Sequence, residues 1–90
     1  MDGVIQDHIE YLQFELRRPL LVMKAPKGLL GCGYISVETC NKTGEACAIV
    51  TGVSSFDDMR KAKVVAASQH AAELGVTVGE TGESALHKMR

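Results

Sequence analysis

The sequence predicts an α+β fold, in which a mixed β-sheet carries helices packed mainly on one face. Apolar runs with strand spacing, bounded by turn residues, fill the chain up to Ile35, and apolar residues at helical spacing recur in the second half. A composition of 46% apolar and 23% charged residues is typical of a globular chain. Ninety residues suffice for one core, so we expect a single domain over residues 1–90, with residues 1–9 as an irregular start. The expected order is β-β-β-α-β-α-α-β-α.

The first three elements are predicted as strands. Leu12, Phe14 and Leu16 alternate with polar residues, which is the period of a half-buried strand. Residues 20–35 form two further apolar runs on either side of a turn at 26–28, where Pro presets φ and Gly accepts a positive φ. These runs predict a β-hairpin.

A helix and a fourth strand follow the hairpin. Ser36 can cap a helix over residues 37–43, and Gly44 can end it. Residues 45–51 are rich in small apolar side chains, which favours an internal strand.

The remaining elements are predicted mainly as helices. Two serines three residues before two aspartates predict a capped short helix through Met59 and Lys61. Apolar residues at i, i+3, i+7 and i+10 predict an amphipathic helix over 64–74. A brief strand is expected at 76–78, and Thr81 can cap a last helix.

Charge and cysteine content limit the classes of function. A net charge of −1 gives no basic face for nucleic acid, and no window is long and apolar enough to span a membrane. The first ten residues do not form a secretory signal, so we expect a cytoplasmic protein. Three cysteines, an odd number without a C-x-x-C pair, are expected to be free thiols.

Five ordered segments carry a family resemblance. They are Pro19–Val22, Gly31–Ile35, Ile49–Val53, Glu73–Gly79 and, at the end, Thr81-Gly82 with Ala85-Leu86. In this order and spacing the chain resembles the YunC-like family of small bacterial and archaeal proteins, a domain of unknown function. The resemblance implies a compact cytoplasmic α/β-type domain, marks the Cys-Gly-Tyr segment at 32–34 as its most distinctive motif, and transfers no activity.

Three places differ from the family's pattern. Ser36 or its neighbour usually carries an acidic or amide side chain, Glu80 stands where Met is typical, and Glu83-Ser84 stands where Arg-Glu is typical. Ser84 removes one half of a reciprocal capping box with Thr81. Glu83 reverses the charge of the family's Arg, which weakens any anion site that would depend on it.

Cys32 is the candidate catalytic residue, and the binding candidates lie in two segments. Glycines on both sides of Cys32 allow close approach of another backbone, and a thiol there is a nucleophile if its pKa is lowered. The sequence favours the alternative, a buried thiol that packs as a small apolar side chain. The candidate binding residues are Gly31, Cys32, Gly33, Tyr34, Thr51, Gly52, Ser54 and Ser55; the last four end a strand and open a helix, where backbone N–H groups can hold an anion.

No motif predicts a metal or a cofactor, and whether the chain is an enzyme stays open. None of the three histidines has a second ligand at i+4 on its helix face, and the pair of His70 and Glu73 is expected to be a surface contact. The preferred hypothesis is a self-associating, non-enzymatic module, because the core is small and aliphatic. The alternatives are a protein that binds a small molecule or an anion, a thiol enzyme using Cys32, and an accessory subunit of a larger complex.

Overall fold

The computed structural model describes residues 3–6 and 8–90 and shows one six-stranded sheet flanked by four helices in that part of the chain. The strands lie side by side in chain order: β1 (Gly3–Gln6), β2 (Ile9–Phe14), β3 (Leu20–Ala25), β4 (Gly28–Gly31), β5 (Cys47–Ile49) and β6 (Ala66–Ala67). The helices are α1 (Val37–Thr43), α2 (Phe56–Lys61), α3 (Gln69–Glu73) and α4 (Gly82–Lys88). Neighbouring strands are antiparallel except β4 and β5, which are parallel and joined through α1. The predicted mixed α+β fold is confirmed.

The predicted hairpin over residues 20–35 is confirmed as β3 and β4, although β4 ends at Gly31. The chain turns there, because the Ile35 N–H donates to the carbonyl oxygen of Cys32 at 3.0 Å. Ile35 folds back over Gly31, where a Cβ would stand only 2.5 Å from Ile35 Cγ1. Gly31 is therefore required by packing.

The first strand of the sheet lies in the segment for which the sequence predicted no element. Gly3–Gln6 pairs antiparallel with the first four residues of β2, from Gly3 opposite Leu12 to Gln6 opposite Ile9. Of the irregular start expected over residues 1–9, residues 1, 2 and 7 lie outside the described residues.

The sheet packs apolar side chains on both faces. One face contributes Met23, Leu30 and Ala48, which lie in register across three strands and pack in the main core with residues of α2, α3 and α4. The other face forms a smaller cluster in which Cys47 and Ile49 pack against α1. Three of the four described helices thus cover one face, as predicted.

The helix predicted over residues 64–74 is wrong for its first half. Ala66 and Ala67 form β6 and pair with β5, so that only Gln69–Glu73 is helical. Ser68 separates the two pieces: its fully buried hydroxyl donates to the Glu45 carbonyl and accepts from the Cys47 N–H, both at 2.8 Å. Because the same hydroxyl caps α3, the helix begins only after it.

The strand predicted at residues 76–78 is also wrong, since this segment is a turn held by Glu80. The carboxylate accepts from the Thr77 N–H at 2.6 Å, from the Ser84 hydroxyl and from Lys88, whose Nζ lies 3.0 Å from Oε1. Burial raises the pKa of Glu80, but these hydrogen bonds and the Lys88 charge outweigh it and lower the pKa to about 2. Glu80 and Ser84, two of the residues that differ from the YunC-like pattern, are thus hydrogen-bonded to each other.

The expectation of three free thiols is wrong for two of them. Cys40 on α1 and Cys47 on β5 form a disulfide, with Cα atoms 6.3 Å apart. Gly44 reverses the chain between them with a left-handed φ of 79°, which returns β5 alongside α1. Cys32 is the free cysteine and is buried.

Within the described ranges, no helix has the length and apolarity needed to cross a membrane.

Candidate functional site: a cleft at the ends of the parallel strands

The candidate site lies at the carboxyl ends of β4 and β5, the parallel pair of strands. Residues 32–34 directly follow β4, and residues 51–53 follow β5. The Val50 N–H donates to the Gly31 carbonyl at 2.9 Å, so the two strands stay paired to their last residues. The two loops therefore leave the sheet side by side.

These two loops enclose a cleft together with the turn between β2 and β3. The cleft has a volume of about 380 Å³ and is lined by residues 32–34, residues 51–53, Arg18 and Pro19. Three segments that are distant in the sequence are therefore brought together at one end of the sheet.

Cys32 lies between this cleft and the main core. Its side chain is only 4% exposed, packs in the main cluster and also lines the cleft. The Leu21 N–H donates to its Sγ at 3.4 Å. The packing agrees with a buried thiol that acts as a small apolar side chain, and this thiol borders the cleft.

Tyr34 and Gly33 shape the cleft in opposite ways. The Tyr34 side chain is half exposed and presents an aromatic ring and a hydroxyl at its edge. Gly33 contributes no side chain, and a Cβ at this position would meet only Thr51 Cγ2, at 3.6 Å. A side chain at position 33 would therefore fit beside Thr51 without a clash. It would occupy space that the glycine leaves open.

The cleft loops have backbone N–H groups without protein acceptors. Gly52 has a left-handed φ of 71°, which favours glycine and lets the chain turn sharply after β5. In the described part of the chain, the N–H groups of residues 33, 34 and 51–53 donate to no backbone or side-chain acceptor. These donors are available to water or to a ligand.

The structure brings five of the eight predicted binding residues together and assigns the other three to packing and capping. Cys32, Gly33, Tyr34, Thr51 and Gly52 line the cleft.

The other three contact different groups. Gly31 packs under Ile35, as described above. The Ser55 hydroxyl caps α2 by accepting from the Asp58 N–H at 3.1 Å. Ser54 donates its N–H and its hydroxyl to the Asp58 carboxylate, and these hydrogen bonds lower the pKa of Asp58.

Sequence reasoning missed Arg18, Pro19 and Val53 as lining residues. The Arg17-Arg18-Pro19 segment reads as a turn, which it is. The predicted hairpin places this turn beside the loop after β4, but no local signal shows that the loop after β5 joins them, because that depends on the parallel pairing of β4 and β5. Val53 follows directly on the predicted Thr51 and Gly52, and adjacency alone could have suggested it.

The remaining chemistry-bearing side chains form surface contacts. His70 Nδ1 and Glu73 Oε2 lie 3.2 Å apart, which confirms the predicted surface pair. They border a second, smaller cleft of about 220 Å³. Across residues 3–6 and 8–90, no three His, Cys, Asp or Glu side chains are grouped closely enough to hold a metal ion.

Fold and site together define a small α+β domain with a β-α-β unit, whose two parallel strands end at an open cleft. The chain belongs to the family described as "Domain of unknown function (DUF1805)", which residues 31–89 match. It is similar to a solved structure of a protein of unknown function, TA1206 from Thermoplasma acidophilum. The two sequences are 37% identical, the TM-score is 0.84, and the match covers 99% of this chain and 90% of that one. Comparison with curated proteins finds no match.

Proposed function

We propose that this domain binds a small organic molecule in the cleft at the carboxyl ends of β4 and β5. The observation that carries the proposal is the position of the cleft. In sheets with parallel strands joined through helices, ligands bind outside the carboxyl ends of the strands, where the loops can be shaped without disturbing the sheet. Here residues 32–34 and 51–53 are those loops, and both line the cleft.

The size and lining of the cleft support a compact ligand. A volume of about 380 Å³ falls near the lower end of the range for ligand sites, roughly 300–1,000 Å³. Tyr34, Pro19 and Val53 provide apolar surface, whereas Thr51 and the free N–H groups provide a few polar contacts. Such a mixture orients a small molecule through a few polar groups against an apolar wall.

The same lining favours binding over thiol catalysis. A nucleophilic cysteine needs a neighbouring base or another group that stabilises the thiolate. Among the described residues, those that line the cleft include no histidine and no carboxylate, and the Cys32 sulfur accepts the Leu21 N–H. We therefore assign Cys32 to the wall of the site.

A cleft-filling variant tests the proposal. Gly33→Leu places a side chain in the cleft, where the position has room for a Cβ, and Ala72→Leu is the control, because Ala72 is exposed on α3. Each protein is screened by ¹H–¹⁵N NMR against the same library of small acids, amines, sugars and aromatic compounds. We expect wild type and the control to respond to shared compounds at residues 32–34 and 51–53, and Gly33→Leu to lose these responses. Responses that map only elsewhere, or that persist in Gly33→Leu, would refute the proposal.

We propose self-association as a second property, in a protein without a nucleic-acid partner. The cytoplasmic location expected from the first ten residues stays a proposal, and the Cys40–Cys47 disulfide counts against it, because disulfides are rare in the reducing cytosol. Phe14 at the end of β2 and Leu16 just beyond it are 42% and 52% exposed, which is unusual for two large apolar side chains so close together. The net charge of −1 supports the lack of a nucleic-acid partner. We also propose the narrower resemblance to YunC-like proteins, which rests on the order and spacing of the five segments given above.

Light scattering after size exclusion tests the association. We expect the wild type to be larger than a monomer at about 100 µM, and the double variant Phe14→Ser/Leu16→Ser to be monomeric. Val78→Ser is the matched control, because Val78 is also exposed but lies in the turn before α4. A monomeric wild type would rule out self-association and leave the binding proposal intact.

A further inference from the structure

We infer that the ligand of the cleft is a small carboxylic acid whose carboxylate binds the guanidinium of Arg18. This inference rests on the proposed binding function and adds the chemical class of the ligand. It starts from the charges at the cleft: within residues 3–6 and 8–90, Arg18 is the one charged residue in the lining. The local potential therefore favours an anion over a cation.

Arg18 is available for such a contact. The ion pairs found among the described residues use Lys42, Arg60, His70 and Lys88 as cations, and Arg18 takes part in none of them. Its guanidinium also donates to no side-chain or backbone acceptor in this part of the chain. A planar guanidinium with free donors matches the two oxygens of a carboxylate in a bidentate pair.

The loops supply further donors to the same cleft. Gly33, Gly52 and Val53 line it, and their N–H groups lack protein acceptors, as described above. Neutral N–H donors around one guanidinium suit a singly charged group. Phosphate sites in proteins commonly add several cationic side chains to such N–H donors, and among the described residues Arg18 is the one cation that lines the cleft, so a carboxylate is the closer match.

The apolar part of the lining indicates the rest of the ligand. Pro19 and Val53 present aliphatic surface, and the half-exposed ring of Tyr34 presents an aromatic one. A ligand with its carboxylate on Arg18 would therefore carry a compact aromatic or branched aliphatic body.

Matched acids and amides test the inference by ¹H–¹⁵N NMR titration. The probes are benzoate, cyclohexanecarboxylate and 3-methylbutanoate, each compared with its neutral amide at low salt. The proteins are wild type, Arg18→Gln and, as the control, Arg17→Gln, since Arg17 is the adjacent exposed arginine and does not line the cleft.

We expect at least one acid to shift the backbone N–H signals of Gly33, Gly52 and Val53. The neutral amide of the same acid should bind the protein at least tenfold more weakly. Arg18→Gln should weaken the acid at least tenfold, whereas Arg17→Gln should change its affinity less than threefold. Three results would overturn the inference: equal binding of acid and amide, equal binding to wild type and Arg18→Gln, or no cleft shifts with any of the acids. The proposed function fails separately, when no compound of any class in the wider library binds in the cleft.

Discussion

Glu80 is expected to stabilise the fold through its charge, and Glu80→Gln tests this. The carboxylate is only 11% exposed and accepts hydrogen bonds from Thr77, Ser84 and Lys88. Lowering its pKa from 4.5 to about 2 corresponds to at most about 3 kcal/mol of stability. Because the neighbouring Lys88 is partly in water and screened, we expect a contribution of about 2 kcal/mol.

The sign of the pH dependence follows from the direction of the shift. The folded state favours the charged carboxylate, so this stability is complete above about pH 5 and is lost as the pH falls towards 2. Urea unfolding at pH 7, 4 and 3 measures it. We expect Glu80→Gln to be about 2 kcal/mol less stable than wild type at pH 7, and the difference to shrink to less than half at pH 3.

Glu83→Gln is the control for this measurement. Glu83 lies in the first turn of α4, three residues after Glu80, but its side chain is 59% exposed, and its Oε1 is 3.9 Å from Arg60 Nη1. An exposed pair of this kind contributes below about 1 kcal/mol. The reasoning fails if the stability difference for Glu80→Gln is the same at pH 7 and pH 3, or if both variants lose equal stability.

Three further predictions concern packing and cysteine chemistry. Gly82→Ala should lower the free energy of unfolding by about 3 kcal/mol or prevent folding, since the added Cβ would stand 2.0 Å from a backbone carbonyl oxygen of α2. Gly33→Ala should lower it by less than about 1 kcal/mol. Thermal unfolding measures both variants, and equal losses of stability would contradict this prediction. Reducing the Cys40–Cys47 disulfide, which spans a sequence separation of 7, should lower the free energy of unfolding by about 2.5 kcal/mol, and unchanged denaturant midpoints would count against that value. Cys32 should react with iodoacetamide at least about 100-fold faster in urea than in the folded protein, because burial protects its sulfur. Mass spectrometry follows the reaction, and equal rates in the two states would contradict the position of Cys32 in the core.

Elements with strong local signals could be predicted from the sequence. The hairpin of β3 and β4 has a Pro26-Lys27 turn between two apolar runs, with Gly28 as the first residue of β4 and without the positive φ expected for it. Helix α1 has a serine cap and a glycine stop. These signals act over a few residues, so they hold without knowledge of the tertiary structure.

The errors occur where long-range contacts decide. Residues 64–67 have helical spacing, but pairing with β5 makes Ala66–Ala67 a strand, and the buried hydroxyl of Ser68 delays the helix. Spacing alone could not show that Cys40 meets Cys47, because their contact depends on how α1 packs against β5.

The candidate site was predictable only in part. Cys32–Tyr34 is predictable as a candidate because glycines flank Cys32 and allow close approach of other backbone, and Thr51–Gly52 because this segment ends a strand and opens a helix. Arg18 lies at the same cleft because β3 pairs with β4 and β4 pairs in parallel with β5. The first pairing follows from the predicted hairpin, but no feature of the local sequence encodes the second.

A crystal structure of the protein with the compound that gives the strongest NMR response in the cleft tests the central claim most directly. The account predicts that the compound lies between residues 32–34 and 51–53, with any acidic group on Arg18. A compound bound at the smaller cleft beside His70, or on the exposed Phe14 and Leu16, would contradict the claim that the ends of β4 and β5 form the binding site.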